Sequence, residues 1–173
     1  MMQSRTKLLS LTAALCALAA VLSYAESLVS SLILFPLPGL RLGLSNVAVM
    51  AAFLLLGPLP ALIVVVTKCL LVFLLVGSPL SFVLSLSGSA LAFFSMLITR
   101  CGQCRLCSMV GASVLSSALH VTGQVLCAAL LCGVSLIPVY LPPLLLASIP
   151  TGAVTGWLLS LTVRGARKRK VES

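Results

Sequence analysis

The chain has 173 residues, 61% of them hydrophobic and 8% charged, with a net charge of +9. That composition, with a mean hydropathy of +1.27, excludes a soluble globular domain and describes a polytopic membrane protein. Glu26 and Glu172 are the two carboxylate side chains and aspartate is absent, which excludes paired-carboxylate catalysis, Walker-B metal binding and aspartate-rich Mg²⁺–diphosphate sites.

Six apolar runs are expected to cross the membrane as helices, at 8–24, 42–56, 59–76, 80–99, 109–131 and 136–163, within one transmembrane domain. The first follows Arg5 and Lys7 and ends in Ser23-Tyr24-Ala25. It also resembles a signal peptide with a small-x-small cleavage site, although a first span has the same appearance. Ala13, Ala17 and Ala20 form a small-residue ridge on it, a helix-packing face that permits close docking of a second membrane protein. Glu26 closes the run. It is either a solvated loop carboxylate or, the favoured role, a counter-ion for Arg41 or Lys68, because an unpaired cation at membrane depth is costly.

Residues 35–46, Phe35-Pro-Leu-Pro-Gly-Leu-Arg-Leu-Gly-Leu-Ser-Asn46, are the one polar-decorated break between two apolar runs. Backbone that leaves the helix at membrane depth must have its N–H and C=O groups satisfied by protein or trapped water. A re-entrant-like loop is therefore expected. Pro38, Gly39 and Gly43 would shape its backbone, and Arg41 and Asn46 would supply its binding groups. The second run is short for a span, which suggests that it starts inside the membrane.

Gly57-Pro58 and Gly77-Ser-Pro79 punctuate the third run. Lys68 lies near its centre, where snorkelling to the interface is awkward, so an interior role is favoured. Ser85 belongs to the fourth run. The loop after it carries Cys101-Gly-Gln-Cys104-Arg-Leu-Cys107, which looks like the start of an iron–sulfur motif, but Gly111 stands where the fourth cysteine should be. Reduced thiols are expected there, with no metal and no cofactor. The alternative is a three-thiolate zinc or cluster site completed by a partner. Cys16, Cys69, Cys127 and Cys132 lie in spans as small apolar side chains.

On the fifth run His120 and Gln124 are spaced i, i+4, and Ser113 with Ser116 or Ser117 continue the stripe. Interhelical hydrogen bonding is the plain role of such residues. His120, the one histidine in the chain, has a stronger claim to ligand contact, since a buried imidazole must find a partner. Gly152-Ala-Val-Thr-Gly156 is a GxxxG packing ridge on the last run.

Charge sets the topology. Arg5, Lys7, Arg100, Arg105, Arg164 and the run Arg167 to Lys170 account for nine of eleven cations, and all fall on one side if both termini are cytoplasmic. The protein is thus expected to be multi-pass in the cell membrane. The basic tail 164–173 would meet anionic lipid. It has no aromatic interleaving, so nucleic acid is not an expected partner.

These residues together resemble the Gx transporter family, also catalogued as heptaprenyl diphosphate synthase component I, which is similar to the S components of energy-coupling factor (ECF) transporters. Pro38-Gly39-Leu40-Arg41-Leu42-Gly43-Leu44-Ser45-Asn46 looks like that family's P-G-x-[KR]-x-G-x-[AS]-N segment. Ser85-Leu-Ser-Gly88 looks like its S-x-x-G, and His120 with Gln124 like its H-N-x-x-Q. Val121 departs from the asparagine, and Lys68 stands where arginine is usual, keeping the charge but not the planar fork. The resemblance implies an all-α bundle of about six membrane helices. It implies a subunit that takes up a small polar or anionic solute, with Arg41, Asn46 and Glu26 at the mouth of the site and Lys68, Ser85, His120 and Gln124 below. No G-x-x-x-x-G-K-[ST] loop is present, so ATP-driven transport would need ECF-type transmembrane and ATPase partners. The competing expectations are a non-catalytic membrane component linked to heptaprenyl diphosphate synthesis, and a carrier or scaffold in flavin- or quinone-dependent redox.

Overall fold

The computed structural model describes residues 2–33, 40–41, 43–101 and 109–171. They form six helices: α1 (Met2–Ile33), α2 (Asn46–Leu55), α3 (Pro58–Val76), α4 (Pro79–Cys101), α5 (Met109–Cys132) and α6 (Leu136–Val171). Five of these are long and apolar enough to cross a membrane, and the described residues contain no strand. The chain is an all-α membrane bundle. The Cys101, Cys104 and Cys107 side chains lie outside the described residues, as do Pro38 and Gly39.

The bundle departs from simple six-fold crossing at α2. Its ten residues reach about 15 Å, half of a hydrocarbon core of about 30 Å. The helix begins at Asn46, after an irregular segment, rather than at Leu42. Asn46 Oδ1 accepts a hydrogen bond at 2.9 Å from Lys68 Nζ, near the middle of α3. The irregular segment therefore reaches the middle of the bundle before α2 starts. Two other ends differ from expectation: α1 continues past Tyr24 to Ile33, and α6 carries the basic tail in helix to Val171.

Helix ends follow local chemistry. Pro58 opens α3, where its missing N–H costs nothing. Gly77 closes it with φ of 71°, its N–H donating to Phe73 O at 2.8 Å.

Helices α1, α3, α4, α5 and α6 follow one another as packed neighbours, and α2 sits among them touching all five. Ala48, Val49, Ala52 and Phe53 of α2 pack with Cys16, Ala19, Val64, Met96 and Leu159 from four surrounding helices. A second apolar cluster gathers Leu40 with Val121, Val125 and Leu144. Outward positions are apolar as well: Leu9, Leu74 and Leu130 are 75%, 75% and 86% exposed. Polar side chains, by contrast, line the interior. Lipid satisfies apolar surface but cannot satisfy a hydroxyl or a charge.

The small-residue ridges divide. A Cβ on Gly152 or Gly156 would lie 2.6 or 2.7 Å from the Cα of Val114 or Val110, and Ser113 Oγ and Thr155 Oγ1 lie 2.7 Å apart across the same contact. That GxxxG is therefore taken up by α5 and offers no face to a second protein. On α1, Ala20 is buried, while Ala13 and Ala17 line an apolar groove with Leu59, Ile63 and Leu71 of α3.

Candidate functional site

Among the described residues one cation, Arg41, lies in backbone that belongs to no helix, and the fold turns it inward. Leu40 anchors the segment in the apolar cluster of α5 and α6. The next residue, 2% exposed, enters a polar chamber. Its Nη1 donates to Ser23 Oγ at 2.8 Å and Ser85 Oγ at 3.4 Å, and its Nη2 donates to Ser81 Oγ at 2.9 Å. The backbone N–H of Arg41 donates to Gln124 Oε1 at 2.9 Å. Three helices thus hold one residue. Arg41 is not at a mouth; it is enclosed.

Glu26 does not meet either cation directly. Its Oε1 accepts from the Leu44 N–H, and its Oε2 from the Ser45 N–H at 3.3 Å. A carboxylate is well suited to backbone donors left open by an irregular turn. Ser45 then links the charges, because its Oγ accepts from Lys68 Nζ at 3.3 Å. The expected counter-ion role of Glu26 is carried through this one residue rather than by contact.

Lys68 lies wholly inside, its ammonium between Ser45 Oγ and Asn46 Oδ1. Snorkelling is ruled out by that placement. Since Asn46 Oδ1 accepts from Lys68, the amide nitrogen points the other way, and it has no hydrogen-bond partner.

The His120–Gln124 pair can be resolved to a tautomer. Gln124 Oε1 accepts from Arg41, so its Nε2 is the donor toward His120 Nε2, 2.9 Å away. That ring nitrogen must then be the acceptor, and the proton of a neutral imidazole sits on Nδ1. Nδ1 faces the Gly88 backbone without a hydrogen bond of good geometry.

Two glycines permit this packing. Gly43 has φ of 89°, and a Cβ there would meet His120 Cδ2 at 3.1 Å and Asn46 Nδ2 at 3.2 Å. A Cβ on Gly88 would lie 2.6 Å from His120 O and 2.7 Å from Gln124 Cγ.

All seven polar residues singled out from the sequence, Glu26, Arg41, Asn46, Lys68, Ser85, His120 and Gln124, fall in this one chamber and are at most 5% exposed. Ser23, Ser81 and Ser45 complete it, and Cys69 Sγ lies 3.5 Å from Ser85 Oγ. Ser81 and Ser85 share a helical stripe with the buried Ser89, a periodicity that could have marked them. Ser113 and Ser116 instead bridge helices, to Thr155 and the Ala92 carbonyl. Val121 packs with Leu40 in the apolar cluster, which explains why an asparagine is not needed there.

A family model described as heptaprenyl diphosphate synthase component I matches residues 15–162, a stretch that contains every residue of the chamber. Neither a curated protein nor a solved structure matches the chain.

Proposed function

The chain belongs to the heptaprenyl diphosphate synthase component I family, and we propose that it is a non-catalytic membrane subunit that binds a small polar or anionic solute for uptake. The observation that supports this is the chamber itself. A protein that needed only a stable bundle would fill its centre with apolar side chains. Burying an ion pair costs several kcal/mol per ion before any return. Here Arg41, Lys68 and Glu26 are all enclosed together with His120 and Gln124. Intramembrane ionisable groups of this kind ordinarily serve a binding or transport pathway.

In this function both termini are cytoplasmic, and Arg41 lies toward the outer half of the bilayer. An energy-coupling partner, resembling the transmembrane and ATPase subunits of ECF transporters, would dock on the α1 surface that carries Ala13 and Ala17. Purification in mild detergent, with mass identification of any retained small molecule, tests the proposal. Its binding or uptake must be lost in Arg41→Ala or His120→Ala. If both variants bind the retained molecule as the wild type does, the chamber is not the site.

The family description favours a second function: a membrane subunit that seats the catalytic component of a prenyl diphosphate synthase. Co-purification of that component would support it. The chain would still not perform the transfer, because it has no aspartate to hold Mg²⁺ and diphosphate.

A further inference from the structure

An inventory of charge and of hydrogen-bond acceptors in the chamber says what kind of group it lacks. Arg41 and Lys68 are cations, Glu26 is the one carboxylate among the described residues, and His120 is neutral because its Nε2 accepts from Gln124. One positive charge is left over.

Acceptors are short as well. The hydroxyls of Ser23, Ser81 and Ser85 receive Arg41, both oxygens of Glu26 receive backbone amides, Gln124 Oε1 receives the Arg41 N–H, and Asn46 Oδ1 receives Lys68. Against that, Arg41 Nε and Asn46 Nδ2 are buried donors with no partner, on residues only 2% and 5% exposed. Unsatisfied buried donors carry the full desolvation penalty of the group. The protonated His120 Nδ1 is a third such donor, and Ser89 Oγ, the one other unpartnered buried atom among the described side chains, is a hydroxyl that can play either part; positive charge and N–H are in excess.

We propose that the solute's anchoring group is a singly charged oxyanion, a carboxylate or monoanionic phosphoryl ester, received by Arg41 Nε and Asn46 Nδ2. This rests on the solute-binding function above and narrows it. One negative charge brings the chamber to neutrality. Two, as on a diphosphate, would leave an uncompensated anion inside the bundle, and a neutral amide would leave the surplus cation as it was. Carboxylate and phosphoryl oxygens each offer several lone pairs, which suits buried N–H donors that lack acceptors. A Cβ on Gly43 would stand 3.2 Å from Asn46 Nδ2 and 3.1 Å from His120 Cδ2, so glycine keeps that approach free of a side chain.

The test uses the full chain in detergent, with thermal unfolding followed at matched ionic strength. Probes are benzoate and acetate as monoanions, sulfate and pyrophosphate as polyanions, and benzamide as the neutral isostere of benzoate. Ligands that bind the folded state raise the midpoint saturably. We expect saturable shifts of several degrees with the monoanions and none with the others. Arg41→Gln and Lys68→Met should each abolish the shift, and Ser10→Ala, on an exposed face, should retain it. Mass analysis of any molecule retained from the native membrane should find one acidic group. Shifts by benzamide or pyrophosphate that match or exceed benzoate, and that vanish in Arg41→Gln, would overturn the monoanion assignment and leave solute binding standing. A retained molecule that is neutral or multiply acidic, released by Arg41→Gln, would do the same. No shift by any probe and no retained molecule would remove both.

Discussion

Gln124 grips Arg41 by its backbone and not by its charge: the Arg41 N–H donates to Gln124 Oε1 at 2.9 Å, while the guanidinium turns away to serines of α1 and α4. The two functions of the residue are therefore separable. The main chain positions the irregular segment, and the side chain supplies the chemistry.

Arg41→Ala should accordingly leave the protein inserted and folded, since Gln124 still receives the backbone N–H and the released serine hydroxyls can turn to their own helix carbonyls. Solute affinity should fall by roughly 1.5–3 kcal/mol, the range for a hydrogen bond to a charged group. Arg41→Lys should recover only part of this, because a point charge cannot reach three hydroxyls at once. Binding isotherms of the three proteins check the order.

Gln124→Glu supplies the negative charge that the chamber lacks. A carboxylate can accept from the Arg41 N–H and, once the imidazole proton moves to Nε2, from His120. The variant should fold, with ring ¹⁵N shifts that report the other tautomer. A monoanionic solute should bind at least about tenfold more weakly, a loss of about 1.4 kcal/mol or more.

Gly88→Ala should be far more damaging than its size suggests. The new methyl would sit 2.6 Å from the His120 carbonyl oxygen, which is backbone and cannot step aside. Overpacking of this kind costs typically about 1–3 kcal/mol, read as a lower unfolding midpoint. Gly152→Ala should behave likewise, since its neighbour at 2.6 Å is the Cα of Val114. Neither effect should depend on a partner protein.

Cleavage after Ala25 should not occur. Ser23 receives Arg41, and Glu26 holds the amides of Leu44 and Ser45, so α1 belongs to the chamber. An N-terminal tag should persist in the mature membrane protein, and impermeant thiol reagents applied to intact cells should miss Cys101, Cys104 and Cys107. Loss of the tag, or efficient labelling of that loop, would contradict this.

The purified single chain should form no prenyl diphosphate, with or without Mg²⁺, because it contains no aspartate. Product above a blank reaction would refute this.

Much of the architecture was legible because membrane helices announce themselves by apolar length, and Gly57-Pro58 and Gly77 punctuate them by fixed backbone chemistry. The chamber's charged members were legible too, since Arg41, Lys68 and Glu26 are conspicuous in an apolar chain. Its serines were not. Ser23 and Ser45 look like any other serine of the chain, and only the fold brings Ser23 to Arg41 and Ser45 to Lys68, while Ser81 is marked by nothing more than its stripe with Ser85 and Ser89. The same holds for Gly152 and Gly156: a GxxxG pattern states that something packs closely, not whether the neighbour is α5 or another chain. That Glu26 would stand near the cations without touching them was not legible, because its oxygens are taken by the open backbone amides of Leu44 and Ser45.

The central position of α2 constrains how the chain is made. A ten-residue helix preceded by irregular polar backbone cannot enter lipid on its own, because α1 alone offers the Arg41 charge and the N–H groups before the helix only Ser23 and Glu26. The remaining acceptors come from Ser81, Ser85 and Gln124, which the ribosome delivers later. Biogenesis must therefore run out of sequence order: α3 to α5 insert first, and the 40–55 stretch is drawn in afterwards, like a cork that can be seated only when the bottle has been blown. A nascent chain stalled after α3 would hold that stretch outside the bilayer, exposed to proteases until α5 arrives.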